Sequence, residues 1–158
     1  MNDIGSYGRR SPWTVTIDNL ETRLRVGIWD HEREHQPVRV IMSVGSASGV
    51  LHAQEPGCVC CLPIIHWIAK EWPRQPHTPL LETRLCELMA FVFSFDARID
   101  WLDAALSKPQ ACPQAAGVGV RMVISRRDFT RVFGDKAWPY APPNAMAYLP
   151  DTSSASLA

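Results

Sequence analysis

Residues 80–106 read LLETRLCELMAFVFSFDARIDWLDAAL, and the spacing of their apolar side chains changes part-way along. Across 80–95, Leu81, Leu85, Leu88, Met89, Val92 and Phe93 recur at intervals of three and four, which lines one wide face of a helix. Across 98–106 the interval shortens to two, with Ile99 and Trp101 between polar neighbours, as in a half-buried strand. Working outward, the Pro-containing loop SKPQACPQAAG leads to GVGVRMVISR, a last strand. Upstream, 62–72 places Ile64, Ile65, Ile68 and Trp72 at helical intervals, with Pro63 suited to a first turn and Pro73 ending the run. Further upstream, 13–28 (WTVTIDNLETRLRVGI) alternates, with Val15, Ile17, Leu24 and Val26 available to one face as a long or broken strand. A polar connection over 30–36 then precedes the β-branched run 37–45 (PVRVIMSVG), a second strand.

The resulting order β, β, α, α, β, β keeps helices apart from antiparallel strands. It predicts an α+β domain, a four-stranded antiparallel sheet with two helices on one face, and disfavours a doubly wound parallel sheet. The domain is expected over 13–127, after a flexible segment at 1–12. Residues 128–158, rich in Pro, Ala and Ser and without periodicity, are expected to form an unstructured tail.

At 158 residues and 46% hydrophobic content, the chain can fill one core. Sixteen basic against sixteen acidic residues leave no net charge, so nothing draws the chain to nucleic acid or anionic lipid. Every apolar run is interrupted well before the roughly 20 residues that a membrane-crossing helix needs. The first residues lack the apolar stretch of a secretory signal, so the expected compartment is the cytoplasm. Five cysteines, two of them the adjacent Cys60 and Cys61, read as reduced thiols.

Several motifs invite chemistry. His31-Glu32-Arg33-Glu34-His35 matches H-E-x-x-H, but zinc binding by that pattern requires both imidazoles on one helix face, and the pentapeptide lies in a short connection between strands. A charged hairpin loop is the expected form. Cys58-Val59-Cys60-Cys61 lacks the spacing of a zinc knuckle, and no metal is assigned. Gly117-Val118-Gly119 lacks the third glycine and the helix of a dinucleotide fingerprint. Lys108, in Ser107-Lys108-Pro109 at a strand end, could reach into a cleft as an acid–base group. Glu82, in the first turn of the long helix, could serve that turn's free amides or accept paired hydrogen bonds from an amidine-like heterocycle.

Taken in order, Gly27-Ile28 with Glu32 and Gln36, then Leu81-Glu82-Thr83, then Ser107-Lys108-Pro109 and Gly117-Val118-Gly119-Val120 resemble the signature series of the dihydroneopterin aldolase family. The likeness covers about residues 13–127. It implies the tunnelling fold, a ββααββ unit whose members assemble into tetrameric rings that often stack as octamers, with sites between subunits.

By this resemblance Glu82 holds the aminopyrimidinone edge of a pterin, with Leu81 and Val59 completing the substrate-binding set. Lys108 is the acid–base residue, working through an ordered water, and Glu32 positions the substrate side chain. The implied reaction is retro-aldol cleavage of 7,8-dihydroneopterin, or a phosphorylated relative, to 6-hydroxymethyl-7,8-dihydropterin and glycolaldehyde. It belongs to folate or methanopterin-type cofactor synthesis and needs no metal or organic cofactor. The partners expected are a small-molecule pterin and further copies of the chain. Two departures stand out: Cys61 occupies the position of the family's active-site tyrosine, and the loop from Glu32 to Gln36 is one residue short. A thiol is shorter than a phenol and a weaker hydrogen bonder, which makes a pterin-binding paralogue with little turnover, or an epimerase, the alternative.

Overall fold

Period-two alternation in four segments produces four strands, all paired antiparallel. In the computed structural model, which describes residues 14–46 and 59–134, β1 (Thr14–Leu24), β2 (Gln36–Gly45), β3 (Trp101–Lys108) and β4 (Val118–Ser125) form one sheet in the order β1-β2-β3-β4. Val38, Val40, Met42 and Val44 of β2 and Leu102, Ala104 and Leu106 of β3 are buried on one face. Val120, Met122 and Ile124 of β4 pack beside them. The opposite face carries Arg39, Ser43, Asp103, Arg121 and the exposed Ile41, as alternation requires.

β1 is the broken strand. Its register against β2 shifts between Ile17 and Leu20, with Asn19 at φ 55°. The bulge changes which parity faces inward, so Ile17 before it and Thr22 and Leu24 after it reach the same core. Val26 lies beyond the strand and forms a parallel bridge to Thr78. β3 starts three residues later than its alternation suggested. Ile99 is buried ahead of the strand with its N–H on the Asp96 carbonyl, and Trp101 packs on the sheet's other face, where Gly45 leaves room for the indole.

The first helical segment is less regular than its spacing implied. Helix α1 (Leu62–His66), with Pro63 in its first turn, widens into a π-helical turn over Trp67–Glu71 and tightens into a 3-10 turn over Trp72–Arg74. The i→i+5 bonding of a π turn sets Trp67 and Trp72 on the same side, with ring centroids 5.2 Å apart. Trp67 also stacks at 4.2 Å on Phe91 of α2 (Leu81–Phe95). Ile64, Ile68, Leu85, Leu88, Met89 and Val92 from the two segments close over the buried face of the sheet in one hydrophobic cluster.

A third helix, α3 (Arg126–Phe133), extends the domain past residue 127, into the stretch expected to be tail. Its start follows from Ser125, whose hydroxyl accepts the Asp128 N–H at 3.0 Å, with Asp128 also in the favoured first turn. Its apolar content, Phe129 and Phe133, is too sparse for a periodic stripe, but Phe129 packs on Phe93 and Phe133 on Phe129. Residues 1–13, 47–58 and 135–158 lie outside the described residues, and with them the expected N-terminal segment, Cys58 and most of the expected tail.

Arg126 ties these pieces together. Its guanidinium donates to the carbonyls of Ile99 (2.8 Å), Phe93 (2.7 Å) and Asp96 (2.8 Å), and lies 5.0 Å from the Phe93 ring centroid. It thereby serves carbonyls that the end of α2 leaves without helical partners. Arg126→Ala should lower unfolding stability by about 2–3 kcal/mol. Urea denaturation checks this, and an unchanged midpoint would show the three bonds to be replaceable by solvent.

Candidate active site

The exit of β1, the tips of β3 and β4 and the first turn of α2 meet at one end of the sheet, around a cavity of about 730 Å³. Gly27, Glu32, Leu81, Glu82, Lys108 and Val118 are among its lining residues. Three regions far apart in sequence, the segment after β1, the start of α2 and the β3–β4 turn, thus converge on one cleft.

Glu32 is the most constrained of these groups. It lies in a 3-10 turn, Asp30–Arg33, and unlike its neighbours it turns inward, with its side chain 7% exposed. Lys108 Nζ donates to its Oε1 at 2.6 Å, the Trp29 backbone N–H to its Oε2 at 3.1 Å, and Gln36 Nε2 to Oε1 at 3.4 Å. Gln36 also donates to the Val26 carbonyl at 2.5 Å, which closes the loop on itself. Gly27 makes the inward turn possible. It sits at φ 143°, and a Cβ there would fall inside the Glu32 carboxylate. Burial alone pushes the Glu32 carboxyl up; the hydrogen bonds from Lys108, Trp29 and Gln36 and the lysine's charge outweigh it and hold the group below its ordinary value.

Lys108 is the last residue of β3, on the parity that faces inward, and its side chain is 16% exposed. Gly119, opposite Ser107, permits the close approach there, since a Cβ would meet the Leu106 carbonyl. Leu81 and Glu82 open α2 after Pro79 and Leu80. Leu81 is buried, while Glu82 is exposed and carries no hydrogen bond or ion pair among the described residues. One wall of the cleft therefore presents a free carboxylate, and another a nearly dry carboxylate–ammonium pair.

This architecture has counterparts among solved structures. A structure assigned as dihydroneopterin aldolase from Vibrio cholerae superposes with a TM-score of 0.63 at 23% identity, covering 72% of this chain and 98% of that one. Escherichia coli dihydroneopterin aldolase in complex with neopterin gives 0.63 at 19%, covering 71% and 98%. The Burkholderia thailandensis dihydroneopterin aldolase bound to guanine gives 0.52 at 17%, covering 72% and 91%. The chain has the dihydroneopterin aldolase fold. No family model and no curated protein sequence matches it.

Within that fold the sequence-derived residues divide into two sets. Glu32, Leu81, Glu82 and Lys108 share the cavity; Val59 and Cys61 do not line it. Val59 is buried in the hydrophobic cluster, and Cys61 packs against it just before α1, with its carbonyl accepting the Ile65 N–H. Burial and the neighbouring Cys60 push the Cys61 thiol up, so it holds its proton at neutral pH. The HEREH segment is a loop containing a single 3-10 turn; His35 Nε2 lies 2.8 Å from the Pro73 carbonyl, and the imidazoles share no helix face. Among the described residues no group of three His, Cys, Asp or Glu side chains could hold a metal ion, and no helix is long and apolar enough to cross a membrane.

Sequence reasoning passed over Trp29 and His77. The Trp29 amide orients Glu32 while its indole stands 64% exposed at the cleft, and His77 Nε2 lies 2.8 Å from the Gly27 carbonyl. Neither belongs to a periodic pattern, so only the fold reveals them.

The depressed Glu32 carboxyl has a pH signature. A carboxylate held below its ordinary value of about 4.5 stabilises the fold above that value and loses the contribution as pH falls through the lower, folded-state value. Wild type should therefore be more stable than Glu32→Gln at pH 7, with the difference shrinking below about pH 4.5. Thermal unfolding of both proteins from pH 7 to pH 3 measures it; a difference independent of pH would contradict the ionised pair.

Proposed function

We propose that the cleft binds a pterin and that the protein is a lyase of the dihydroneopterin aldolase type. The observation that carries this reading is the cavity shared by the Glu82 carboxylate, which has no partner among the described residues, and the Glu32–Lys108 pair. Neopterin, present in the Escherichia coli neighbour, and guanine, present in the Burkholderia one, share a flat edge with a ring N–H beside an exocyclic amino group. A carboxylate accepts both donors in parallel. Glu82 would hold that edge, with Leu81 beneath it, and leave the substituent on the far side of the ring to Glu32 and Lys108.

There the chemistry is proton movement. The side-chain hydroxyl proton passes through an ordered water to Nζ of Lys108 in its free-amine form, the adjacent C–C bond breaks, and a carbonyl forms on the departing glycolaldehyde. The electron pair of the broken bond enters the imine of the dihydropterin ring. Protonation at the carbon that stays attached then gives 6-hydroxymethyl-7,8-dihydropterin. The ring is the electron sink, so the reaction calls for no metal or organic cofactor. Such a product belongs to folate or methanopterin-type cofactor synthesis in the cytoplasm.

Ring assembly is part of the proposal. Val59 and Cys61 lie off the cavity of their own subunit, so any share they take in a site needs a second copy. The mouth carries Ile28, Trp29, Leu80 and Val118, between 49% and 71% exposed, an apolar rim that a neighbouring subunit would cover. Both outer strands of the four-stranded sheet, β1 and β4, also have an unpaired edge among the described residues. Light scattering should report an assembly of several subunits.

One observation favours a second reading, a pterin-binding paralogue with slow or no turnover, or an epimerase sharing the same cleaved intermediate. Cys61 stands where the resemblance calls for tyrosine, and its thiol is held protonated and half-buried. The experiment is incubation with 7,8-dihydroneopterin and its phosphates, following aldehyde release. Lys108→Ala should abolish release, while Glu82→Ala should weaken neopterin binding about 100-fold, from the loss of about 3 kcal/mol of charge-assisted bonding. Silence of the wild type with every substrate would leave binding alone. Cys61→Tyr is expected to raise the rate of cleavage relative to wild type, and an unchanged rate would place the proton donor elsewhere.

A further inference from the structure

Arg84 is fully buried, which is unusual for a guanidinium in the first turn of a helix. It lies two residues past Glu82 on α2, points away from solvent, and makes three polar contacts. Nη1 pairs with Glu87 Oε2 at 2.8 Å; Nη2 donates to the Arg25 carbonyl at 3.0 Å and to the Pro76 carbonyl at 2.5 Å. Glu87 is held independently by Trp72 Nε1 at 2.9 Å. The two carbonyls belong to the two chain segments that form the cleft's walls. Arg25 precedes Val26 and Gly27 and leads into the turn that carries Glu32; Pro76 leads through Thr78 into the start of α2, which carries Glu82. Between them runs one short parallel bridge, Val26 with Thr78, closed by Gly27 N–H to the Thr78 carbonyl at 3.1 Å and Thr78 N–H to the Arg25 carbonyl at 3.3 Å.

A bridge this short has little rigidity of its own. The arginine fork clamps both of its strands from the buried side, and a rigid fork with several donors can do this where an ammonium cannot. We propose that Arg84 is a positioning residue that sets the distance between the Glu82 carboxylate and the Glu32–Lys108 pair, and so selects ligands long enough to span both. The proposal rests on the pterin reading of the cleft for its ligands, though not for the clamp itself. Its consequence is selective. A ligand that offers only the amidine-like edge, such as guanine, needs Glu82 alone. Neopterin carries the same edge and a hydroxylated side chain, and gains from the second wall only when the spacing is right.

The test uses the full chain and two variants. Arg84→Lys keeps a cation beside Glu87 but cannot hold both carbonyls. Trp72→Phe removes the other donor to Glu87 and leaves the fork intact, so it loosens the same buried network without touching the clamp. Calorimetric titration with neopterin and with guanine, together with amide hydrogen exchange at Gly27 and Thr78, should separate the two. In Arg84→Lys, neopterin affinity is expected to fall about tenfold while guanine affinity stays within about threefold, and both amides should exchange faster. In Trp72→Phe the melting temperature should drop, with the neopterin-to-guanine ratio and the two amides unchanged.

Equal loss of both ligands in a folded Arg84→Lys, no loss of either, or the same ratio change in Trp72→Phe would each overturn the selecting role. Unchanged exchange at Gly27 and Thr78 would overturn the clamp. A wild type that binds neither ligand defeats the pterin reading and the selecting role with it, whereas faster exchange in Arg84→Lys alone would still establish the clamp.

Discussion

A carboxylate and an ammonium 2.6 Å apart, both almost out of water, constrain everything around them. Ions that have lost solvent need partners, and removing one leaves the other stranded. Glu32 can reach the pair only because Gly27 lacks a side chain and takes a backbone conformation closed to most residues. Lys108 can reach it only because β3 ends there with the right parity. The Trp29 amide and the Gln36 side chain then take up two further acceptor positions of Glu32. The loop between β1 and β2, whose charged sequence looks like a solvated connection, is for this reason a fixed part of the cleft wall.

The other wall is built by different means. Glu82 stands exposed at the start of α2, and what positions it is the burial of the helix beneath: Leu81, Leu85 and Leu88 in the core, and Arg84 with Glu87 in a polar pocket closed by Trp72. The irregular segment from α1 to the 3-10 turn belongs to the same arrangement. Its π turn lets two tryptophans pack together against Phe91, and the second of them reaches Glu87. The cleft thus joins an ion pair on one side with a rigid hydrophobic and polar support on the other.

Most of the fold was legible because sheet and helix periods differ and Pro and Gly punctuate them. The element order, the antiparallel sheet and the long helix all follow from intervals of two or of three and four. The misplacements have physical causes. In β1 a one-residue bulge reverses parity, which no strict alternation encodes. Ahead of β3, Ile99 is buried as loop. At α3 the two phenylalanines are too few for a stripe, although Ser125 three residues before Asp128 is a capping signal that could have been read.

For the cleft, Glu82 at a helix start and Lys108 at a strand end stand out by residue type and place, whereas Glu32 and Leu81 enter through the resemblance to the dihydroneopterin aldolase signature series. Their meeting in one cavity was not readable from spacing, since it depends on strands ending at a common edge and on a positive φ at Gly27. Nor could the buried clamp of Arg84 be foreseen, because an arginine between apolar helix positions reads as solvent-facing until tertiary packing turns it inward. Local covalent geometry writes the elements into the chain; contacts between residues some fifty to eighty positions apart, such as Arg84 with Arg25 and Lys108 with Glu32, exist only once those elements have packed.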